Sequence, residues 1–180
     1  MKNCNLTQVT IRFIGLFFFT SFFTISSSFA DTVWDFDINH LGPIRIGMTT
    51  KQVIKIAKES GFKFNGSDKK LSCASYVLSV KDTSVELLFL DNKVSSITFS
   101  SPTFRMNSGL GVGSTKGDVE QAFGKVKWVD NDGNLFFTEI KPNTSSLVNM
   151  MIWMTPGPLS PELTVRYIEI RNNILSEGCS

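Results

Sequence analysis

The sequence predicts an α+β fold made of two tandem repeats, each a helix packed on a three- to four-stranded antiparallel sheet. Three observations carry that reading. First, Ile44-Arg45-Ile46-Gly47-Met48-Thr49-Thr50-Lys51-Gln52-Val53 lines up with Leu110-Gly111-Val112-Gly113-Ser114-Thr115-Lys116-Gly117-Asp118-Val119 at a constant separation of 66 residues. Second, each copy places a Gly-x-Thr turn ahead of a capping-box spacing, Thr49 to Gln52 and Thr115 to Asp118. Third, after each copy the apolar period changes from that of a helix to that of a strand.

The elements follow in order. Two alternating apolar residues make a short extended piece, Gly47 or Gly113 permits a sharp turn, and the threonine opens a helix. The first helix runs through Val53, Ile56 and Ala57 toward Gly61, and the second through Val119, Ala122 and Phe123 to Gly124, glycine ending both. Alternation then predicts strands at 73–80, 84–90 and 94–100 in the first repeat, the last two joined by Asp91-Asn92-Lys93. In the second repeat it predicts strands at 126–130, 135–140, 148–154 and 165–171. Ser101-Pro102 and Asn107-Ser108-Gly109 punctuate the chain between them, so the repeats are set at 31–105 and 106–180. A helix or hairpin of this length hides too little apolar surface alone, so each helix must cover a sheet face.

Residues 1–30 have the three-part plan of a secretory signal: Lys2 and Arg12 in a polar start, an apolar stretch over 14–23, and a small-residue end at Ser28-Phe29-Ala30. The apolar stretch is shorter than the roughly 20 residues that span a bilayer, so a cleaved signal is expected in place of an anchor. Cys4 precedes that stretch and is not placed to carry lipid. The expected location is periplasmic or secreted, where thiols are oxidised and Cys73 and Cys179 would form one disulfide, the alternative being two unpaired thiols.

Composition excludes several function classes. Hydrophobic residues are 42% and charged residues 19%, enough for a real core and unlike a disordered tail. The formal charge of +2 comes from 18 Lys and Arg against 16 Asp and Glu, and its surplus lies in Lys2 and Arg12. The remaining body is neutral, lacking the basic field that nucleic acid or an anionic membrane would require.

A chain with a leader and two helix-plus-sheet repeats opened by Ile44-Arg45-Ile46-Gly47-Met48-Thr49 and Gln52-Val53 resembles the beta-lactamase-inhibitor-protein-like fold and the related outer-membrane assembly lipoproteins SmpA/OmlA. In the second copy Gly113-Ser114-Thr115 replaces Gly-Met-Thr. The chain is also similar to small secreted bacterial proteins that end in Glu-Gly-Cys, here Glu177-Gly178-Cys179. The resemblance implies a curved sheet that docks other proteins and has no active site. The assembly family carries lipid on a cysteine that this chain lacks, and the inhibitor's contact loops have no counterpart here, so beta-lactamase is not carried over as a target.

Chemical motifs point the same way. His40 is the one histidine, so a nucleophilic triad would have to use it and a zinc site could draw on a single imidazole; a surface residue is the preferred reading. Gly109-x-Gly111-x-Gly113 fits neither phosphate-binding spacing and reads as a turn before a helix. Asp130-Asn131-Asp132-Gly133-Asn134 begins like a calcium loop, but its glycine is at the fourth position and no Glu follows at the twelfth, so a hairpin turn is expected. Glu86, Glu120, Glu139 and Glu169 show no acid/base spacing. No enzyme activity, cofactor or metal is expected.

Large side chains on the strand face away from the core are then the candidate binding residues. Over 148–154 one face reads Val148, Met150, Ile152, Met154 and the other Asn149, Met151, Trp153, the second being the outer one. Trp128, Met151, Trp153 and Tyr167 are the predicted partner anchors, with packing under a helix or against the other repeat as the alternative for each. The functional expectation is an exported protein-binding module, an inhibitor or immunity-type protein occluding an envelope or secreted enzyme. The alternatives are a scaffold of envelope assembly and a small-ligand binder.

One expectation is checked on the exported protein without reductant. Its intact mass should rise by two hydrogens on reduction, and no thiol should react with an alkylating reagent beforehand; two reactive thiols would exclude the Cys73–Cys179 bond.

Overall fold

The structure, a computed structural model, describes residues 34–66, 73–80, 82–142, 147–157 and 160–172; the expected leader over 1–30 and Cys179 lie outside them. Thr49 and Thr115 open the two helices, α1 (Thr50–Glu59) and α2 (Lys116–Phe123). In each case the threonine is extended, its hydroxyl accepts the backbone N–H three residues on, and that residue's side chain accepts in return from the threonine N–H. The return bonds are 2.8 Å from Thr49 N to Gln52 Oε1 and 2.7 Å from Thr115 N to Asp118 Oδ2. A capping box therefore satisfies two of the donors that a helix start leaves orphaned.

A two-residue hairpin, β1 (His40–Leu41) with β2 (Ile44–Arg45), precedes α1. The remaining strands form one antiparallel sheet. They are β3 (Lys63–Gly66), β4 (Cys73–Val80), β5 (Thr83–Leu90), β6 (Lys93–Phe99), β7 (Val129–Asp130), β8 (Phe136–Ile140), β9 (Val148–Gly157) and β10 (Ser160–Asn172). The strand order is β3-β4-β5-β6-β10-β9-β8-β7. Each helix is thus followed by a four-strand meander, and the last strands of the two meanders pair at the centre, Phe99 opposite Ile168 and Ile97 opposite Ile170. The α+β class holds, with one large antiparallel sheet and two helices among the described residues.

Two turns hang the helices on those central strands. Gly47 N–H donates to Val94 O and Val94 N–H to Met48 O, both at 2.8 Å; Gly113 N–H donates to Val165 O at 2.9 Å and Val165 N–H to Ser114 O at 2.8 Å. Gly47 and Gly113 hold φ of 87° and 88°, in the region that L side chains rarely adopt. A Cβ on either would meet nothing within 4 Å, so the requirement is conformational and not steric.

One sheet face carries the core. Leu78, Val85, Phe99, Ile168 and Ile152 follow one another across the sheet in register, all buried, and Val53 and Ala57 of α1 and Val119 of α2 belong to the same cluster. Trp34 and Phe36 join it from the entering segment, Trp34 stacked on Phe62 at 4.4 Å. The segment that was expected to separate two repeats is itself tied in, because Arg105 bridges both Asp35 and Gly111.

Three elements depart from the sequence reading, the first being β1, which pairs with the expected extended piece at Ile44–Arg45. β3, which was not expected, adds an edge strand through Phe64 opposite Leu78. The strand expected at 126–130 shrinks to Val129–Asp130, because Trp128 turns away to α2: its Nε1 donates to Glu120 Oε1 at 3.1 Å, and Lys116 Nζ lies 5.8 Å from its ring centroid.

The two turns carry matched expectations. Gly47→Ala and Gly113→Ala should each lower unfolding stability by about 1–3 kcal/mol, the range for a non-glycine residue held in that backbone region, and Thr49→Ala and Thr115→Ala by about 1 kcal/mol, all measured by urea unfolding.

Candidate functional site

The face opposite the helices is read from the same register. Across it, Phe137 of β8 lies opposite Trp153 of β9, and Trp153 lies opposite Tyr167 of β10. The Phe137 and Trp153 ring centroids are 4.8 Å apart, and Trp153 stacks on Tyr167 at 5.3 Å with 19° between planes. None of the three belongs to or packs on the core cluster. They form a half-buried aromatic strip on the second face, continued at the edge by Val129, which pairs with Phe137 and is exposed.

The next row is polar. Val77, Glu86, Thr98, Glu169, Met151 and Glu139 lie opposite one another from β4 across to β8. Three glutamates that show no common spacing in the sequence therefore share one line. Each is already engaged: Glu86 accepts from Ser75 Oγ at 2.8 Å, Glu169 from Ser96 Oγ at 3.2 Å, and Glu139 from Asn149 Nδ2. Glu139 also pairs with Lys141 at 3.1 Å. Burial by itself would raise the Glu139 carboxyl, but the bonds from Lys141 and Asn149 and the charges of Lys141 and Arg171 outweigh it and hold the group below its ordinary 4.5. Tyr167 moves upward from 10.0, through burial and then the Glu169 charge, so its hydroxyl stays neutral at physiological pH.

The predicted anchors are placed differently from one another. Trp153 and Tyr167 come together on the strip. Met151 lies on the same face but is only 3% exposed, between Glu139 and Glu169. Trp128 is half-buried against α2 and away from the strip. Phe137 is the strip residue that sequence reasoning missed: Phe136-Phe137 is an apolar doublet, and only pairing with Met154 and Trp153 tells which ring faces out. Trp153 Nε1 and Arg171 Nε are buried donors without a hydrogen-bond partner, both on this face.

Other motifs resolve into local structure. His40 Nδ1 lies 2.6 Å from Asp37 Oδ1, the contact that fixes the ring beside the first hairpin. Asp130 Oδ1 accepts from Gly133 N–H at 2.6 Å and Asp132 Oδ1 from Leu135 N–H at 2.9 Å, so the calcium-like stretch is the β7–β8 turn with its carboxylates on backbone donors. Among the described residues no group of three or more His, Cys, Asp or Glu could hold a metal ion, and no helix is long and apolar enough to cross a membrane.

A second feature lies just before β7 begins. Between the segment 125–128 and β8 runs a groove of about 820 Å³, lined by Ile38, Met106, Phe123, Val126, Phe137 and Ile140 together with Lys125, Lys127 and Lys141.

No protein-family model matches the chain, and no curated protein matches it in sequence. Among solved structures it is similar to the uncharacterized protein YfeY from Escherichia coli, with a TM-score of 0.48 and 15% identity over 74% of this chain and 96% of that one.

The Glu139 network sets a pH dependence. Because the folded carboxyl lies below 4.5, its contribution is present above that value and is lost as pH falls through it and below. Glu139→Gln should lower unfolding stability near neutral pH by no more than about 1 kcal/mol, and the gap to the unsubstituted protein should close in acid when unfolding is followed from pH 7 to pH 3.

Proposed function

We propose that the chain is an exported protein-binding module that docks a partner through the aromatic strip of its sheet. The observation that carries this reading is the row of three contacting rings, Phe137, Trp153 and Tyr167, on the face that neither helix covers. Tyrosine and tryptophan anchor interfaces because they bury large areas with few rotatable bonds and keep a polar handle. Glu169 and Glu139 in the neighbouring row border the strip with the polar groups that an interface rim carries.

The architecture proposed with it is a duplication. The two Gly-x-Thr turns share φ, cap and strand hydrogen bonds, and each opens a helix and a four-strand meander, which supports one ancestral unit used twice. The leader over 1–30 supports a periplasmic or secreted location, and an oxidised Cys73–Cys179 bond would tie the end of the chain to the start of β4. Within this reading the module is an inhibitor or immunity-type protein that lays its sheet over the mouth of an envelope or secreted enzyme, as the resemblance to the beta-lactamase-inhibitor fold implies. Its action needs no cofactor, metal or catalytic group. A scaffold of envelope assembly is the competing reading.

The test is capture with a photo-crosslinking residue at position 153 or 167, in envelope and culture fractions. The reading requires one soluble enzyme crosslinked near one-to-one, its activity falling on addition of the protein. It also requires Trp153→Ala or Tyr167→Ala to weaken binding by about tenfold or more, with unchanged circular dichroism. Crosslinking to outer-membrane machinery would favour the scaffold, and crosslinks to a partner from Lys125 or Lys127 but not from 153 or 167 would move the interface off the strip.

A further inference from the structure

The groove beside β8 follows from the diversion of Trp128. An uninterrupted strand over 126–130 would pair with β8 along most of its length, yet pairing stops at Val129 opposite Phe137. Trp128 fastens the preceding segment to α2 through Glu120, and Val126 packs against the core, so the chain is held off β8 from both sides. The space between is about 820 Å³, within the few hundred to one thousand that small-molecule sites occupy.

Its lining is amphipathic. The walls are half-buried apolar side chains from four parts of the chain: Ile38, Met106, Phe123 with Val126, and Ile140. Charges sit at the rim, and their balance is not what the count suggests. Both acids of the lining are engaged, Asp37 by the His40 ring and by the backbone N–H of Asn39 at 2.7 Å, and Glu139 by Lys141 and Asn149. Lys141 is consumed in that pair. Lys125 and Lys127 are exposed and have no ion-pair partner among the described residues. Two unpaired ammonium groups therefore overhang an apolar trough.

We infer that this groove is a binding site for a small anionic amphiphile, its apolar chain lying between Phe123 and Ile140 and its phosphate or carboxylate head meeting Lys125 and Lys127. The chemistry distinguishes this ligand from two simpler ones. A bare anion would gain little from exposed lysines in water, and a neutral detergent would leave both ammonium groups unpaired. A head and a chain on one molecule satisfy both parts of the lining. The site rests on charges that the docking strip does not use, although the Phe137 ring borders both.

Isothermal titration with dodecyl phosphate below its micelle concentration tests the inference, with inorganic phosphate and dodecyl maltoside as head-only and chain-only controls. One dodecyl phosphate should bind per chain, tighter than either control by about tenfold or more, and Lys125→Glu with Lys127→Glu should weaken it by about the same factor with unchanged circular dichroism. Chemical-shift changes should centre on Phe123, Val126 and Ile140. Equal affinity for dodecyl maltoside, equal affinity in the double variant, shifts confined to Trp153 and Tyr167, or no binding at all would each overturn the inference.

Discussion

The pairing of β6 with β10 is the constraint on which the rest depends. Phe99, Ile97, Ile168 and Ile170 meet there in register and are buried, so two meanders that would each expose an edge and half a core instead share both. The helices follow from the same two strands. Val94 at the start of β6 and Val165 within β10 hold the Gly47 and Gly113 turns by paired backbone bonds, and those turns aim α1 and α2 onto the core face. Sheet centre, turn and cap form one connected chain of causes on each side.

That connection explains what could be read locally. A capping box needs only four consecutive residues, so both helix starts are visible in Thr49 to Gln52 and Thr115 to Asp118. The hairpin of β5 and β6 is visible for the same reason, since Asp91 and Asn92 accept the positive φ of 48° and 65° that a tight connection demands. Strand alternation over 73–80 and 148–154 shows which residues turn inward, and Met150, Ile152 and Met154 are fully buried. The candidate site is harder, because it is a product of register between strands distant in sequence. Phe137 is hidden in a doublet, the line of Glu86, Glu169 and Glu139 exists only once β6 meets β10, and the Trp128 to Glu120 bond draws a tryptophan out of a strand that its own neighbours favour. β3 is too short and too polar to announce itself: Lys63, Asn65 and Gly66 are exposed.

The two candidate surfaces are not remote from each other. The Phe137 ring packs against Trp153 and also lines the groove, and Glu139 borders both. An occupant of the groove would rest against a ring that the docking strip also uses. The face opposite the helices and the β8 edge are therefore joined through one aromatic side chain, whose position is set by pairing with both Val129 and Trp153.

The shortening of β7 has a further consequence, for the behaviour of the chain in a crowded compartment. An open eight-stranded sheet has two rims, and a rim of unpaired amides is a template on which copies of the same protein can polymerise. Here one rim is the four-residue β3 and the other the two-residue β7, both short templates, and the stretch of β8 that β7 leaves uncovered is bordered by Lys125 and Lys127. Like charges brought together there would repel. The tryptophan that pulls the chain away from the sheet thus also leaves a short, charged rim of the kind that disfavours edge-to-edge pairing.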